Sequence, residues 1–462
     1  MDQFTGPAGS VTVDRRRAVQ MSVVGAGIAG AGIAGVPKRV RSARAGTTPV
    51  ATPVASPVAS PVAGGDVPIS GDAVPQLAGF DQLIPELMLK WDLPGGQVAI
   101  AREGRLVYDR GFGYASVEDG EVVEPGHRFR IASNSKPLTM VGILRLIDAG
   151  LLSLDTPVFP LLKLEPPANA PRDPRLDTIT VEHLLVHSGG WNTAASGYDP
   201  QYLPWPLLAS HLLGAEVPAR AETIVRFMLS QPLDFDPGTL SAYSNFGYNV
   251  LGRVIEHVSG QEYEAFMLDE VINPSGITSM AIAGTTLEER LDGEVRYYSP
   301  PGLAFETSVY PGEGFVPAGY GSYDMRSLDA HGGWISSASD LVRFLLAVDG
   351  TRGDALLTEA TVTAMETTSR PPSAAIGAGN VETSFGLGFN SVPMDGGYEW
   401  SHSGALVGSN CSWFTRRPDR TALGLVFNSL PEDYPAFFPE LFSAFNDALE
   451  GMTDWPEGDL FA

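Results

Sequence analysis

The chain of 462 residues contains a single cysteine, Cys411, so an intrachain disulfide is excluded. Lysine is almost as scarce. Only Lys38, Lys90, Lys136 and Lys163 occur, against 26 arginines. Arginine keeps its proton at any working pH, whereas a desolvated lysine can release it. A lysine in a chain that writes its positive charge as arginine therefore marks a position to inspect. Positive charge is in deficit overall. The formal net charge of −24 argues against nucleic acid and anionic membrane surfaces as partners. No G-x-S-x-G occurs, so a strand–turn–helix elbow carrying a nucleophilic serine is not supported. No H-E-x-x-H zinc motif occurs either. Gly25, Gly27 and Gly30 have G-x-G-x-x-G spacing, but no acid lies between Asp14 and Asp66 to hold a ribose. A dinucleotide site needs that acid and a preceding strand.

What is present begins with organisation. The hydrophobic fraction of 44% and charged fraction of 18% are those of a soluble globular protein. Residues 1–45 read as an export signal or N-terminal anchor. Arg15, Arg16 and Arg17 precede a Gly/Ala-rich apolar span, and Ala43-Arg44-Ala45 offers small residues for cleavage. The paired arginines resemble a twin-arginine signal, so the expectation is an extracytoplasmic protein. It would be periplasmic, secreted or held at the envelope through this segment. Residues 46–71 form a linker whose four-residue repeat, TPVATPVASPVASPVA, favours extended polyproline-like backbone. The folded body is expected over 72–462.

Within the body, Leu77 to Trp91 has apolar residues at helical spacing, interrupted by Pro85. GGQVAIAREGRLVYDRGFGYA, from Gly95, reads as a hairpin turning at Glu103-Gly104. A second hairpin is expected around Arg417-Pro418-Asp419, and a helix over about 434–449. Residues 153–330 are rich in loops and helices. This order suggests a sheet lobe, 72–152 with 331–462, interrupted by a mainly helical lobe at about 153–330. Two-lobed folds often place the active site in the cleft between them.

Three short stretches carry candidate chemistry. IASNSKPLTM, residues 131–140, puts Ser133 three positions before Lys136 at the start of an apolar run. On a helix the two share a face. The helix N-terminus would stabilise an oxyanion at Ser133, and burial would lower the Lys136 pKa until its amine accepts the serine proton. The plainer alternative is a polar helix cap. FDPGTLSAYSNFGYNVLG, from Phe235, places Tyr243 and Asn245 as Y-x-N ahead of a helix. Tyrosine can share a proton with Ser or Lys, and asparagine can position an amide. The alternative is a core tyrosine and a capping asparagine. WSHSGALVG, from Trp400, contains His402 and Gly404, and the alternative there is a glycine-rich turn.

The order S-x-x-K, Y-x-N, H-x-G resembles the serine β-lactamase and penicillin-binding-protein-like hydrolases. FRIASNSKPLT, HLLVHSGGW, GGWISSASDLVRF and FGLGF resemble stretches of the class C β-lactamase-related family, over roughly residues 75 to 430. The resemblance implies an α+β fold: an antiparallel sheet flanked by helices, a helical second lobe, and the active site between them. It implies that Ser133 is the acyl-accepting nucleophile and that Lys136 and Tyr243 form its acid/base system. Asn245 would position Lys136 or a substrate amide. The N–H groups of Ser133 and Ala405 would form the oxyanion hole, with His402 and Gly404 along the substrate edge. No cofactor and no metal are implied. The expected partner is a small ester or amide, or a short peptide.

One position departs from the family pattern. The third motif of β-lactamases and transpeptidases is K-T-G, and here the lysine is His402, with no lysine after Lys163 to replace it. The family uses that lysine for a substrate carboxylate. Relatives with H-x-G here include esterases, D-amino-acid peptidases and amidases, and the resemblance makes these the leading expectation. A class C-like β-lactamase or D-Ala-D-Ala carboxypeptidase is the alternative, and a non-catalytic or acylated cell-wall sensor is the reading of another class. If a protonated His402 binds carboxylates, turnover of anionic substrates should weaken between about pH 6 and 8. His183 and His187 have the i, i+4 spacing of a metal pair, though no third ligand lies nearby.

Overall fold

The computed structural model describes residues 66–461 except 198, 301, 303 and 375–385. The signal and repeat readings, on residues 1–45 and 48–63, lie outside the described residues. The chain enters the sheet at β1 (Ile69–Ser70), inside the stretch assigned above to the linker. β2 (Gly95–Arg102) and β3 (Arg105–Ser116) follow, then β4 (Asn390–Met394), β5 (Gly397–Leu406), β6 (Asn410–Arg416) and β7 (Thr421–Phe427). Their order across the sheet is β1-β3-β2-β7-β6-β5-β4, with Glu121–Val122 added beside β3. Each neighbouring pair is antiparallel.

The two expected hairpins are present. At the β2–β3 turn, Glu103 has φ 52° and Gly104 φ 80°. Two consecutive left-handed residues make the primed turn whose twist matches a hairpin. β7 is buried along its whole length, TALGLVF, because helices cover both faces of the sheet. α1 (Ala78–Lys90) and α6 (Tyr434–Glu450) cover one face, where Phe80, Ile84 and Phe437 cluster with Val98, Ile100, Leu423 and Leu425. Pro85 stays within α1. α5 (Ala338–Val348) covers the other face, over Ala99, Ala101, Ala422 and Val426. The side chains under α5 are small for a reason. A Cβ at Gly424 would lie 2.7 Å from the Ala338 carbonyl oxygen, so the helix rests almost on the backbone of β7.

The remaining core is helical. α2 (Ser135–Asp148) is buried from Ser135 through Leu144. It falls inside the 72–152 span assigned above to the sheet lobe, yet it packs on α3 (Asn245–Ser259) and α4 (Met325–Gly332). A helix with apolar residues on every side needs partners on every side, which an edge of a sheet cannot supply. α3 and α4 approach closely at Gly252, where a Cβ would lie 2.7 Å from that of Ala330. The start of α2 is thereby clamped between these helices and the β5–β6 end of the sheet.

Candidate active site

Ser133 sits in a single 3₁₀ turn, Ala132–Asn134, that runs directly into α2. Its predecessor Ala132 has φ 49°, left-handed for a residue with a Cβ. Such a conformation costs roughly 1–3 kcal/mol and persists only where the surroundings hold it. Here the Ser135 hydroxyl donates to the Ala132 carbonyl at 2.7 Å, and the Ser412 hydroxyl to that of Ile131 at 2.7 Å. Asn134 Nδ2 donates in turn to Ser412 Oγ at 3.0 Å. Ser135 is thus a structural residue. Pro137 falls in the first turn of α2, where its missing N–H costs little.

The structure brings Ser133, Lys136, Tyr243 and Asn245 together. Lys136 Nζ lies 3.1 Å from Ser133 Oγ, 2.9 Å from Asn245 Oδ1 and 2.9 Å from the His331 carbonyl oxygen. Tyr243 Oη donates to Ser133 Oγ at 2.7 Å, across 110 residues of chain. Lys136 is fully buried, and burial holds its pKa well below the usual lysine value, opposed by the Asp199 charge. Burial pushes the Tyr243 phenol up, so it remains protonated through the alkaline range. An uncharged amine and a neutral phenol flanking one serine can take its proton and pass it on.

The third motif lies on β5. Pairing with β4 ends at Asn390–Ser401, while pairing with β6 continues to Leu406–Asn410. From His402 to Leu406 the outer edge of β5 therefore carries no strand among the described residues. The Leu406 carbonyl turns inward, accepting from the Ser409 N–H at 3.0 Å. Alternation then turns the Ala405 N–H to the open edge. Gly404 faces Ser133: a Cβ there would lie 2.2 Å from the Ile131 carbonyl oxygen and 3.1 Å from the Ser133 nitrogen. Glycine is needed at 404 because the nucleophile's own backbone lies against it, which draws the Ser133 and Ala405 N–H groups into one neighbourhood.

His402 is buried, and its Nδ1–H donates to the Ser403 carbonyl at 2.7 Å. Burial, reinforced by Lys136, pushes its pKa down to about 3. The same burial opposes the protonated His402 that carboxylate binding would need. A ring enclosed by protein beside a second base loses the solvation that a cation needs.

Other singled-out residues have local duties. The His183 ring closes a capping box with Thr180. His187 has φ 59°, accepts the Ser244 N–H on Nδ1 at 3.2 Å and packs at a tilt against Tyr243 with ring centres 4.7 Å apart. Both rings thus accept a backbone N–H on Nδ1. Cys411 is buried, its thiol directed at the Ser429 carbonyl and pushed up by burial. Sequence reasoning missed Asp199. This buried carboxylate accepts from Asn245 Nδ2 at 2.7 Å, across 46 residues, in a loop with no motif to announce it.

The chain is 28% identical over 385 residues to Esterase EstB of Burkholderia gladioli, covering 77% of this chain and 90% of that protein. It is 27% identical over 344 residues to a putative D-alanyl-D-alanine carboxypeptidase of Escherichia coli O157:H7, covering 68% of this chain and 75% of that one. The chain spans 40% of the longer protein flp of Staphylococcus aureus. Among solved structures, SurE superposes with a TM-score of 0.60 at 27% identity, over 83% of this chain and 78% of that chain. The Beta-lactamase family matches residues 80–438, and this chain, a serine hydrolase by fold and kinship, belongs to that family.

Proposed function

We propose that this hydrolase cleaves uncharged carboxylic esters, and secondarily amides, through an acyl-enzyme on Ser133. The observation that carries the reading is the hydrogen-bonded set Tyr243–Ser133–Lys136 at the open edge of β5. Ser133 Oγ attacks the substrate carbonyl as its proton passes to the neutral Lys136 amine. The N–H groups of Ser133 and Ala405 hold the oxyanion, and Tyr243 relays the proton to the leaving oxygen. Water then releases the acid by the reverse relay.

The preference for uncharged substrates rests on His402. A neutral ring occupies the place of the family's carboxylate-binding lysine. Arg370, whose charge also bears on His402, directs its N–H groups to the Gly386 and Phe389 carbonyls and to Asn390. Kinship with a protein named an esterase, over most of both chains, supports ester cleavage. The arginine-led N-terminus supports export to the cell envelope or beyond, which fractionation of expressing cells tests.

The enzymatic test combines a fluorophosphonate with p-nitrophenyl esters, D-amino acid amides and nitrocefin. Adduct mass and turnover are followed, with Ser133→Ala as control. Ester cleavage lost in Ser133→Ala is expected. No adduct and no turnover with any probe would overturn the reading, and a persistent adduct without turnover would favour a sensor.

A further inference from the structure

We propose that Asp199 is a positioning residue: it holds the Asn245 side chain with its oxygen towards Lys136, and so aims the Lys136 lone pair at Ser133. The assignment rests on the reading of Ser133 as nucleophile.

The argument starts with the two ends of an amide, nearly equal in shape and opposite in hydrogen-bonding sense. Asp199 Oδ2 accepts from Asn245 Nδ2 at 2.7 Å, and Asp199 Oδ1 accepts from the Gln201 N–H at 3.1 Å. Both oxygens act as acceptors, as a carboxylate does; burial raises the Asp199 pKa, and these two hydrogen bonds and the Lys136 charge oppose that rise. With its NH₂ drawn to Asp199, Asn245 has only Oδ1 to offer Lys136, at 2.9 Å.

A neutral amine has two N–H bonds and one lone pair. Asn245 Oδ1 and the His331 carbonyl, each 2.9 Å from Nζ, are acceptors only and take the two N–H bonds. The lone pair is left in the third direction, where Ser133 Oγ lies at 3.1 Å. A reversed Asn245 would present an N–H to the amine and compete with the serine proton for that lone pair. Once the proton has moved, the ammonium has three donors and three acceptors in place. Asp199 then stands behind the amide as a buried counter-charge, as the aspartate of a serine-protease triad stands behind its histidine. Around Lys136, the rings of Tyr243, His187, His331 and His402 are all held uncharged at neutral pH. Asp199 is the charge that bears on Lys136.

The test uses the full chain and the titration of Lys136 itself. Four lysines give four resonances in a sample labelled at lysine Cε, and Lys136→Arg identifies the one that matters. In Asp199→Asn, the Lys136 titration and the acid limb of kcat/KM should move together to lower pH, by about one unit. The kcat should fall roughly 10- to 100-fold with KM within about threefold. Asp199→Ser is the second variant, keeping an acceptor for Asn245 without the charge, and it should show the same downward titration shift. A purely structural Asp199 would lower Tm and leave both titrations where they are, and that result in either folded variant overturns the assignment. The outcomes separate from those of the function test. If the wild type forms no Ser133-dependent adduct, the nucleophile falls and this assignment with it. If the adduct forms and the titration does not move, this assignment alone falls.

Discussion

Gly404 and Ile131 stand so close that a Cβ on the glycine would come within 2.2 Å of the Ile131 carbonyl oxygen. The strand edge and the turn bearing Ser133 therefore meet backbone to backbone. Gly404→Ala must push them apart and separate the Ser133 and Ala405 N–H groups. Loss of one oxyanion donor costs roughly 10²- to 10³-fold in kcat. That loss, with KM changed much less, is the expected outcome of steady-state ester kinetics on the variant.

Lys136 acts as a base only if it can be neutral. Arginine cannot be deprotonated under working conditions. Lys136→Arg should therefore abolish turnover even where circular dichroism reports a native fold. In the wild type, kcat/KM should rise with pH through a Lys136 titration placed well below the usual lysine value. An acid limb near the unperturbed lysine pKa of about 10.4 would contradict the buried amine.

Tyr243 donates to Ser133 through a hydroxyl that burial keeps protonated. Tyr243→Phe removes the hydroxyl and keeps the ring against His187. Expected is a drop in kcat of about 10²- to 10⁴-fold with Tm nearly unchanged, read by ester turnover and thermal melts.

Burial pushes the His402 pKa down to about 3, which keeps the ring neutral between pH 5 and 8. The ratio of kcat/KM for an anionic substrate to that for a neutral ester should be flat across that range. His402→Lys should raise the ratio by supplying a cation, with nitrocefin as the anionic probe. A ratio that falls as pH rises from 6 to 8 would show a protonated histidine after all.

Asp109, on β3, has its pKa raised by burial to about 7, with Asp340 adding to the effect. A carboxyl whose folded pKa lies above its unfolded value of 3.8 binds its proton more tightly when folded. Its contribution to stability is therefore present at low pH and lost as pH rises through about 7. Asp109→Asn, which mimics the protonated form, should raise Tm at pH 8 relative to the wild type and leave it nearly unchanged at pH 4. Equal shifts at both pH values would remove the titration as the cause.

Much was legible in the chain itself. Hairpins at 103–104 and 417–419 and the helix ending the fold followed from alternation, turn residues and helical spacing, all of which act between near neighbours. Ser133 and Lys136 stood out because they lie three apart and because lysine is rare here. Asp199 was not legible. Its partner is 46 residues away, and an aspartate in a loop looks the same whether it faces water or a buried amide.

The sequence by itself determined which groups exist for chemistry: one lysine beside a serine, a tyrosine with an asparagine, and a histidine where a lysine would stand. It also determined the family, since those residues recur in a set order. Only the tertiary structure decided their protonation and their distances. Those depend on burial, which removes water from Lys136 and His402, and on contacts 46 to 110 residues apart that join α2, α3 and the loop of Asp199. A chain of letters lists the charges, and the surrounding dielectric and the hydrogen-bond partners set which of them survive folding.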